Sequence, residues 1–356
     1  MFVAWRDLRF ARGRFVLIGT VVTLITLLVG FLSGLTGGLA DQNISAITGL
    51  GVDRIVFSAP AAGAGQSFSD SAVTEADASH WRGQAGVQAV HPLGVSQQKA
   101  SAGDAQAAVA LFGSDSDLGS GFAPASGHLT LPRTAATTLD VGAGDTVTLA
   151  GSVFTVDKVT DDTWYSHTPV IWMALSDWQR LAATTGSPDA YATVLTVRAS
   201  GTDWTAADAA TGTSSAGVLQ SLTALSAFRS EIGSLLLMVA MLFGISALVV
   251  GAFFTVWSIQ RQPDVAVLKA LGASNRMLVG DALGQAALVL VTGVGLGIGL
   301  TALLGTLAGA ALPFVISPLT TLLPGAAMIA LGLAGAAFAL RSVTTADPLT
   351  ALGSNR

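Results

Sequence analysis

Cysteine is absent from this chain of 356 residues, and charged side chains make up only 11% of it. The lack of cysteine excludes disulfide bonds, thiolate metal sites and a cysteine nucleophile. No G-x-x-x-x-G-K-[ST] motif occurs, so this sequence carries no P-loop with which to hydrolyse ATP. Hydrophobic residues account for 51% of the chain. Such a composition indicates a protein of the membrane.

The net charge of -5 conceals an uneven distribution. Residues 41–229 carry 17 acidic and 8 basic side chains, whereas the polar segments outside this block are slightly basic. Because short basic loops stay on the cytoplasmic side of a membrane, we expect the acidic block to be extracytoplasmic and both termini to be cytoplasmic. The few basic residues lie at membrane edges, so we expect no nucleic-acid partner.

Long apolar segments predict four transmembrane helices. The first of them is longer than the core of a signal peptide, so we expect it to be retained. The predicted fold class is a membrane protein with four transmembrane helices and an α+β extracytoplasmic domain inserted between the first and second. The predicted segments are an amphipathic N-terminal helix on the inner membrane surface (1–14), the first span (15–40), the extracytoplasmic domain (41–228), the second span (229–257), a cytoplasmic loop (258–276), the third span (277–311), an outer turn (312–318), the fourth span (319–340) and a cytoplasmic tail (341–356).

The extracytoplasmic block contains short segments that read as strands. Residues 51–57 alternate between apolar and polar side chains, as in a half-buried strand. Further strands are predicted at 87–95, 107–112, 146–149, 153–159, 170–174 and 194–197, with a helix at 176–183. Residues 142–145 predict a Gly-Asp turn that joins two strands. All four histidines lie in this block, and none has partners at metal-ligand spacing, except loosely Asp161 and Asp162 before His167.

Glycines recur within two of the predicted spans. Gly30, Gly34 and Gly38 are four residues apart and predict a small-residue face that another helix approaches closely. The sequence leaves open whether that helix belongs to the same chain or to a second copy. Four glycines at alternate positions of 293–299 lie in an apolar helix without a following G-K-[ST], so they predict helix packing and not a phosphate-binding loop.

Glu231 is one of only two glutamates in the chain. From Leu219 onwards, apolar residues recur at helical spacing into the second span, which predicts one unbroken helix. Glu231 lies inside this helix near the outer membrane face, where an ionisable group is costly unless it faces a cavity, a partner or a ligand. It is either a carboxylate in the hydrated headgroup region or a polar point in an apolar wall. The wall would consist of neighbours on the same helix face: Ala227, Phe228, Leu235 and Met238.

A polar segment between the second and third spans, QRQPDVAVLKALGAS at residues 260–274, reads as a short helix that stops at Gly272. It resembles the "RR..E...L.ALGAS" signature of MacB/FtsX-type ABC transporter permeases, and it departs from that signature at Pro263 and Asp264. The tail at 341–352 resembles the "A...DP..AL" ending of the same permeases. The resemblance covers the whole chain.

This resemblance implies a coupling helix that docks onto a separate ABC ATPase subunit, which binds the ATP. The residues assigned to that contact are Arg261, Asp264, Leu268, Lys269, Leu271 and Gly272. It also implies a homodimer in the lipid of the plasma membrane, with no catalytic residues and no intrinsic cofactor in the permease itself. If the first and second spans pair across such a dimer, two copies of Glu231 converge and face Phe31 and Leu35.

The layout resembles, among these permeases, the haem-exporting HrtB type. This implies a haem-efflux role, with haem held by Phe31, Leu35, Phe228, Met238 and the Glu231 carboxylate, which can serve as a hard ligand for ferric iron. Two alternatives stay open. One is MacB-type export of an antimicrobial peptide, a drug or a lipid. The other is FtsX-like mechanotransmission, in which a signal passes to cell-wall hydrolases outside.

Overall fold

A computed structural model describes residues 12–119, 123–260, 267, 269, 272–309 and 312–344. They fall into two compact units, each with its own core. The membrane unit takes its described residues from Met1–Gly38 and Ser234–Arg356, and the sheet unit is Leu39–Gly233.

Long apolar helices make up the membrane unit and confirm the prediction of four candidate spans. In chain order they are α1 (Arg12–Thr48), α7 (Ser226–Gln260), α8 (Asn275–Ala308) and α9 (Pro318–Thr344). Helix α1 does not end at the predicted boundary of residue 40, since it continues to Thr48. The candidate N-terminal helix at 1–14 lies almost wholly outside the described residues.

The glycine face of α1 is filled by residues of the same chain. A Cβ atom at Gly30 would collide with Thr301 of α8, and one at Gly34 or Gly38 would collide with residues 313–314. The absence of a side chain therefore makes room for the side chains of Thr301 and Phe314 and, at Gly38, for the backbone of Pro313. This observation answers the question that the sequence left open.

Helix α8 uses two of its predicted packing glycines in the same way. Gly293 and Gly297 abut α1 at Val22 and Thr26, whereas a Cβ atom added at either of the other two glycines of the run would meet no described heavy atom within 4 Å outside its own helix backbone. The hydroxyl of Thr23 donates a hydrogen bond of 3.1 Å to the carbonyl of Gly293. The prediction of packing glycines is therefore confirmed for alternate members of the run.

The sheet unit is rich in strands, with short helices between them. Its strands are β1 (Arg54–Ser58), β2 (Val87–Ala102), β3 (Ala105–Ser114), β4 (His128–Pro132), β5 (Thr146–Leu149), β6 (Ser152–Thr160), β7 (Trp164–Tyr165), β8 (Thr168–Ala174), β9 (Val194–Ala199) and β10 (Thr213–Gly217). Its helices are α2 (Glu75–Arg82), α3 (Arg133–Leu139), α4 (Leu175–Thr184), α5 (Trp204–Thr211) and α6 (Val218–Ser221). This α+β content confirms the predicted fold class.

The strands pair in the order β10-β1-β9-β2-β3-β8-β4-β6-β5, and β7 pairs with β8. The long strand β2 also pairs with β5 at Ala100 and Ser101, so the strands β2, β3, β8, β4, β6 and β5 form a closed ring of pairings. The alternation of side chains then divides the apolar residues between two cores. Leu111 and Ile171 belong to one core, whereas the adjacent residues Phe112 and Trp172 belong to the other.

The prediction of one unbroken helix from Leu219 is wrong. Helix α6 ends at Ser221, a 3-10 turn occupies Leu222–Ala224, and α7 begins only at Ser226. Leu225 has an extended backbone with φ -86° and ψ 109°, which interrupts the helix. Leu222 and Leu225 are buried in the core of the sheet unit. The burial of these two leucines therefore determines the backbone here, although their spacing in the sequence is that of a helix.

The predicted Gly-Asp turn does not join two strands. Residues 142–145 form a turn that precedes β5, in which the carboxylate of Asp145 accepts a hydrogen bond from the amide of Gly142. The connection between β5 and β6 is made by Ala150 and Gly151, which both have positive φ angles (45° and 82°). This is the backbone pattern that a two-residue hairpin requires.

Candidate functional site

Glu231 lies near the start of α7, and 41% of its side chain is exposed. Its carboxylate oxygen Oε2 is approached by two nitrogen atoms from distant parts of the chain. His167 Nε2 is 2.8 Å from this oxygen, and Asn43 Nδ2 is 3.0 Å from it. Arg229, two residues earlier on the helix, is exposed and is not one of the partners. We call Asn43, His167 and Glu231 the Glu231 cluster; all three belong to the sheet unit.

The hairpin loop between β7 and β8 places His167. Because Tyr165 pairs with Thr168, Ser166 and His167 are the only two residues of the loop. Their φ angles are 47° and 63°, the left-handed pattern that Asn-Gly usually supplies in such loops. A residue other than glycine in this conformation costs about 1 kcal/mol or more.

Backbone hydrogen bonds hold this loop against the end of α1. The amide of Ser166 donates to the carbonyl of Asn43 at 3.0 Å, and the amide of His167 donates to the carbonyl of Gln42 at 2.9 Å. These two main-chain hydrogen bonds therefore hold the strained loop beside the side chain of Asn43. This anchoring explains how the conformation persists, since strain remains only where the surroundings over-determine it.

Asn43 is fully buried on α1. If its amide were rotated by 180°, an oxygen would face the carboxylate oxygen of Glu231, so the hydrogen-bond network itself fixes the amide orientation. Its other atom, Oδ1, is buried and has no hydrogen-bond partner among the described residues. A buried acceptor without a partner costs about 1–3 kcal/mol, and a native protein rarely retains one without a reason.

Both donors converge on a single oxygen of Glu231. When Glu231 is ionised, its carboxylate only accepts, so His167 Nε2 and Asn43 Nδ2 must each direct a proton at Oε2. These two nitrogen atoms are 3.0 Å apart. They are this close because both donate to the same oxygen. Within the described part of the chain, Oε1 of Glu231 accepts no hydrogen bond. This oxygen is therefore free to meet a ligand.

Tyr165, which precedes the strained loop, belongs to the core. Its ring centroid lies 5.9 Å from that of Phe68 and 5.5 Å from that of Phe112. Burial raises the pKa of the Tyr165 phenol, so this side chain stays neutral. The aromatic residues Trp172 and Trp178 are also buried.

The loose association of His167 with two aspartates does not form. Asp161 pairs with Arg133 Nη2 at 2.9 Å, and Asp162 accepts hydrogen bonds from the amide and the hydroxyl of Thr134. Among the residues that the structure describes, no three His, Asp or Glu side chains lie close enough to hold a metal ion.

A second histidine–carboxylate pair resembles the first in its local geometry. His91 Nδ1 lies 3.0 Å from Asp115 Oδ1, and the two side chains are 32% and 43% exposed. The corresponding values for His167 and Glu231 are 33% and 41%. The His91–Asp115 pair connects β2 with the residue that follows β3, and within the described ranges no third side chain joins it.

The predicted substrate-binding residues are divided between the two units. Ala227 and Phe228 lie on the first turn of α7 and are half-buried, and Phe228 packs against the core of the sheet unit. They share the sheet unit with Glu231.

The other predicted substrate-binding residues belong to the membrane unit. Leu235 is half-buried and Met238 is 55% exposed, both farther along α7. Phe31 lies on α1 with its ring centroid 5.1 Å from that of Phe314, and Leu35 is half-buried one turn later. Whether these side chains share a ligand with Glu231 stays a prediction.

The predicted coupling helix is described only in part. Gly272 has a φ angle of 95°, and its amide donates to the carbonyl of Lys269 at 3.0 Å. This left-handed glycine is typical of the residue that follows a helix. The other residues assigned to the ATPase contact lie outside the described residues: Arg261, Asp264, Leu268 and Leu271.

The sheet unit also contains an open cleft of about 660 Å³. Its apolar side is formed by Phe68, Val95 and Trp178. Two exposed carboxylates, Asp70 and Asp189, lie at the same cleft, and none of the described residues that line it is basic. A volume in this range suits a small organic ligand.

The C-terminal part of the chain matches a known protein family. Residues 230–348 match the family described as FtsX-like permease C-terminal. This part of the chain is an FtsX-like permease domain. The domain starts one residue before Glu231 and includes α8, α9 and almost all of α7. The resemblance inferred from residues 260–274 is therefore confirmed.

Several relatives match this chain over nearly the whole length of both proteins. A protein of Staphylococcus haemolyticus, described as the hemin transport system permease HrtB, is 26% identical over 359 residues, which cover 99% of both chains. Its counterpart in Staphylococcus epidermidis is 22% identical over 365 residues, which cover all of both chains. An uncharacterised ABC transporter permease of Mycobacterium bovis is 25% identical over 374 residues, again 99% of both chains.

Two solved structures resemble part of the chain. The periplasmic region of MacB from Actinobacillus actinomycetemcomitans has 15% identity and a TM-score of 0.35, and the match covers 49% of this chain and 92% of that one. The extracellular domain of the transporter YknZ from Gram-positive bacteria has 15% identity and a TM-score of 0.32, with coverage of 48% and 92%.

Proposed function

We propose that this chain is the permease subunit of an ABC-type efflux pump that extrudes haem from the membrane. The observation that carries the proposal is the match, over 99–100% of both chains, to relatives described as hemin transport permeases. A separate ATPase subunit binds and hydrolyses the ATP, and two copies of the permease form a homodimer in the plasma membrane. The charge distribution supports cytoplasmic termini and an extracytoplasmic position for residues 41–228.

Glu231 is the proposed ligand of the haem iron. A carboxylate is a suitable hard ligand for ferric iron, and the Oε1 atom of Glu231 is not engaged by the described residues. The apolar part of the haem would lie against the side chains assigned from the sequence: Phe31, Leu35, Ala227, Phe228, Leu235 and Met238. Glu231 copies from the two permeases would converge on one haem.

ATP-driven motion of the partner would enter through the segment at 260–274. The proposed contact residues are Arg261, Asp264, Leu268, Lys269, Leu271 and Gly272. The left-handed turn at Gly272 supports the end of a short helix at this point.

Haem titration of the detergent-purified full-length chain, followed by Soret absorbance, tests the proposal. We expect a saturable band at one haem for each pair of chains. Glu231→Ala removes the ligand oxygen, and Glu231→Gln keeps the shape but removes the charge, so both variants should lose the saturable band. Glu75→Gln alters the only other glutamate, which is exposed on α2, and should titrate like the unaltered protein.

Two other outcomes would change the interpretation. A band that is retained in both Glu231 variants would keep haem as the ligand and move its site elsewhere, for example to a histidine of the sheet unit. If the unaltered chain gives no saturable band, haem is not the cargo.

A second candidate is MacB-type export of another amphiphile, such as a peptide, a drug or a lipid. The cleft between Trp178 and the carboxylates Asp70 and Asp189 favours it, because an apolar wall with two negative charges suits a cationic amphiphile. This candidate predicts that such a compound quenches tryptophan emission saturably, and that Asp70→Asn together with Asp189→Asn weakens the quenching.

A further inference from the structure

We infer that Asn43 and His167 are positioning residues that hold one oxygen of Glu231 and thereby present the other oxygen to the ligand. The inference takes the identity of that ligand, haem, from the proposed function. The positioning itself is argued from the geometry of the Glu231 cluster.

The two donors come from different elements. Asn43 projects from α1, His167 from the loop between β7 and β8, and Glu231 from α7. Their distances to Oε2 of 3.0 Å and 2.8 Å are those of direct hydrogen bonds. A half-exposed glutamate otherwise loses conformational freedom when it binds a ligand, and two fixed donors remove that loss in advance.

Positioning explains the burial of Asn43. Its side chain has no exposed surface, so it cannot touch a bound ligand and acts only through Glu231. His167 Nε2 is committed to the same carboxylate oxygen, so it cannot bind iron without breaking this bond. A partner behind a metal ligand fixes its orientation and raises its affinity for the metal.

The cluster also concentrates features that cost free energy. Ser166 and His167 have left-handed backbones, and Oδ1 of Asn43 is a buried acceptor without a partner within the described ranges. Neither His91 nor Asp115 has a positive φ angle. Strain of this kind tends to persist where the arrangement of side chains is needed for function.

Selective labelling tests the positioning without haem. The chain has two glutamates, so in a Glu75→Asp background a ¹³C label at the side-chain carboxyl of glutamate reports on Glu231 alone. The infrared carboxylate stretch is measured in the full-length protein with His167→Ala, His167→Gln or Asn43→Ala. We expect His167→Ala and Asn43→Ala to shift the Glu231 band and His167→Gln, whose amide can still donate, to restore it largely. The matched control His91→Ala, at a pair of the same geometry and exposure, should leave the band in place.

Haem titration of the same variants then measures the consequence for binding. Loss of a positioning partner typically weakens metal binding about 10–100-fold, so we expect His167→Ala and Asn43→Ala to weaken haem binding by that factor without abolishing it. His167→Gln should recover most of the affinity, and His91→Ala should bind like the parent.

Each result has one meaning for the inference. A Glu231 band that is insensitive to both alanine variants overturns the positioning role, even if haem still binds through Glu231. If His167→Ala abolishes haem binding while Glu231→Gln retains it, His167 is the ligand itself and the assignment is wrong. Absence of haem binding in the parent defeats the proposed function alone, because the infrared band still decides whether Asn43 and His167 hold Glu231.

Discussion

The sheet unit contains two histidine–carboxylate pairs that are nearly indistinguishable by distance and exposure. His91 is 3.0 Å from Asp115 and His167 is 2.8 Å from Glu231, and in each pair about a third of the histidine side chain is exposed. Their surroundings differ. The first pair joins β2 to the residue that follows the neighbouring strand β3, whereas the second joins three distant segments and includes a buried asparagine.

This difference shows that pair geometry alone does not identify a functional site. An exposed pair such as His91–Asp115 contributes little to stability, since water screens its charges. The Glu231 cluster adds a second donor to the same oxygen, a strained loop and an unpartnered buried acceptor. These features require precise support from the fold, so they carry more information than the distance between two charged atoms.

Asn43→Asp should have the largest effect on this comparison. It places a second carboxylate, fully buried, about 3 Å from Glu231, and a buried uncompensated charge costs about 3–5 kcal/mol. We expect the apparent melting temperature of the full-length protein to fall by about 10 °C. Tryptophan emission is a suitable probe, because most of the seven tryptophans lie in the sheet unit.

The change to compare with it, in the other pair, is Asp115→Asn. It removes one charge from a half-exposed pair and should cost less than about 1 kcal/mol. Equal losses for Asn43→Asp and Asp115→Asn would mean that the Glu231 cluster is solvated in the same way as the His91 pair.

A double-mutant cycle should give an intermediate effect. Alanine substitutions at His167 and Glu231, singly and together, should reveal a coupling free energy of about 1 kcal/mol, since the hydrogen bond is charge-assisted and supported by Asn43. The same cycle at His91 and Asp115 should give about 0.2–0.5 kcal/mol. Chemical or thermal unfolding of the full-length protein measures both.

Salt provides the control for this cycle. The coupling at His91 and Asp115 should fall further as the ionic strength rises, because exposed charges are screened most. Coupling energies that are equal at low salt and decrease together would contradict the distinction between the pairs.

Ser166→Asn should have the smallest effect and the opposite sign. Asparagine adopts the left-handed conformation more readily than serine, so the change should stabilise the protein by about 0.5 kcal/mol, or about 1–2 °C. Ala150→Asn is the matched control in the two-residue loop between β5 and β6, where φ is 45°, and it should stabilise the protein similarly. A destabilising Ser166→Asn accompanied by a stabilising Ala150→Asn would show that the serine side chain itself is required.

The sequence predicts Glu231 but not its partners. An ionisable residue in an apolar helix is conspicuous on composition alone. Its contacts are not, because 64 and 188 residues separate it from His167 and Asn43, and only the folded sheet unit brings them together. The pair Ser166–His167 between Tyr165 and Thr168 could have indicated a tight loop, but serine and histidine are not the residues that such loops usually contain.

Local patterns predict the strands well and the connections poorly. Strands β1 and β8 are short, continuous runs of buried residues, as expected of strands that are covered on both faces. Strands β4, β7 and β10 are not predicted. Strand β10, TSSAG, has little apolar character and is held by pairing with β1. The helical spacing of Leu222 and Leu225 arises by chance, because both residues serve the core of the sheet unit.

The packing of α8 against α1 has a consequence for biosynthesis. The hydrogen bond from Thr23 to Gly293 joins residues that are 270 positions apart. At a synthesis rate of about 5–20 residues per second, roughly 15–55 s pass after Thr23 is made before its acceptor exists. During that interval the ribosome also produces the whole sheet unit. Until α8 follows it into the membrane, the first helix must therefore remain in the bilayer with its α8-facing side towards lipid or a helper protein.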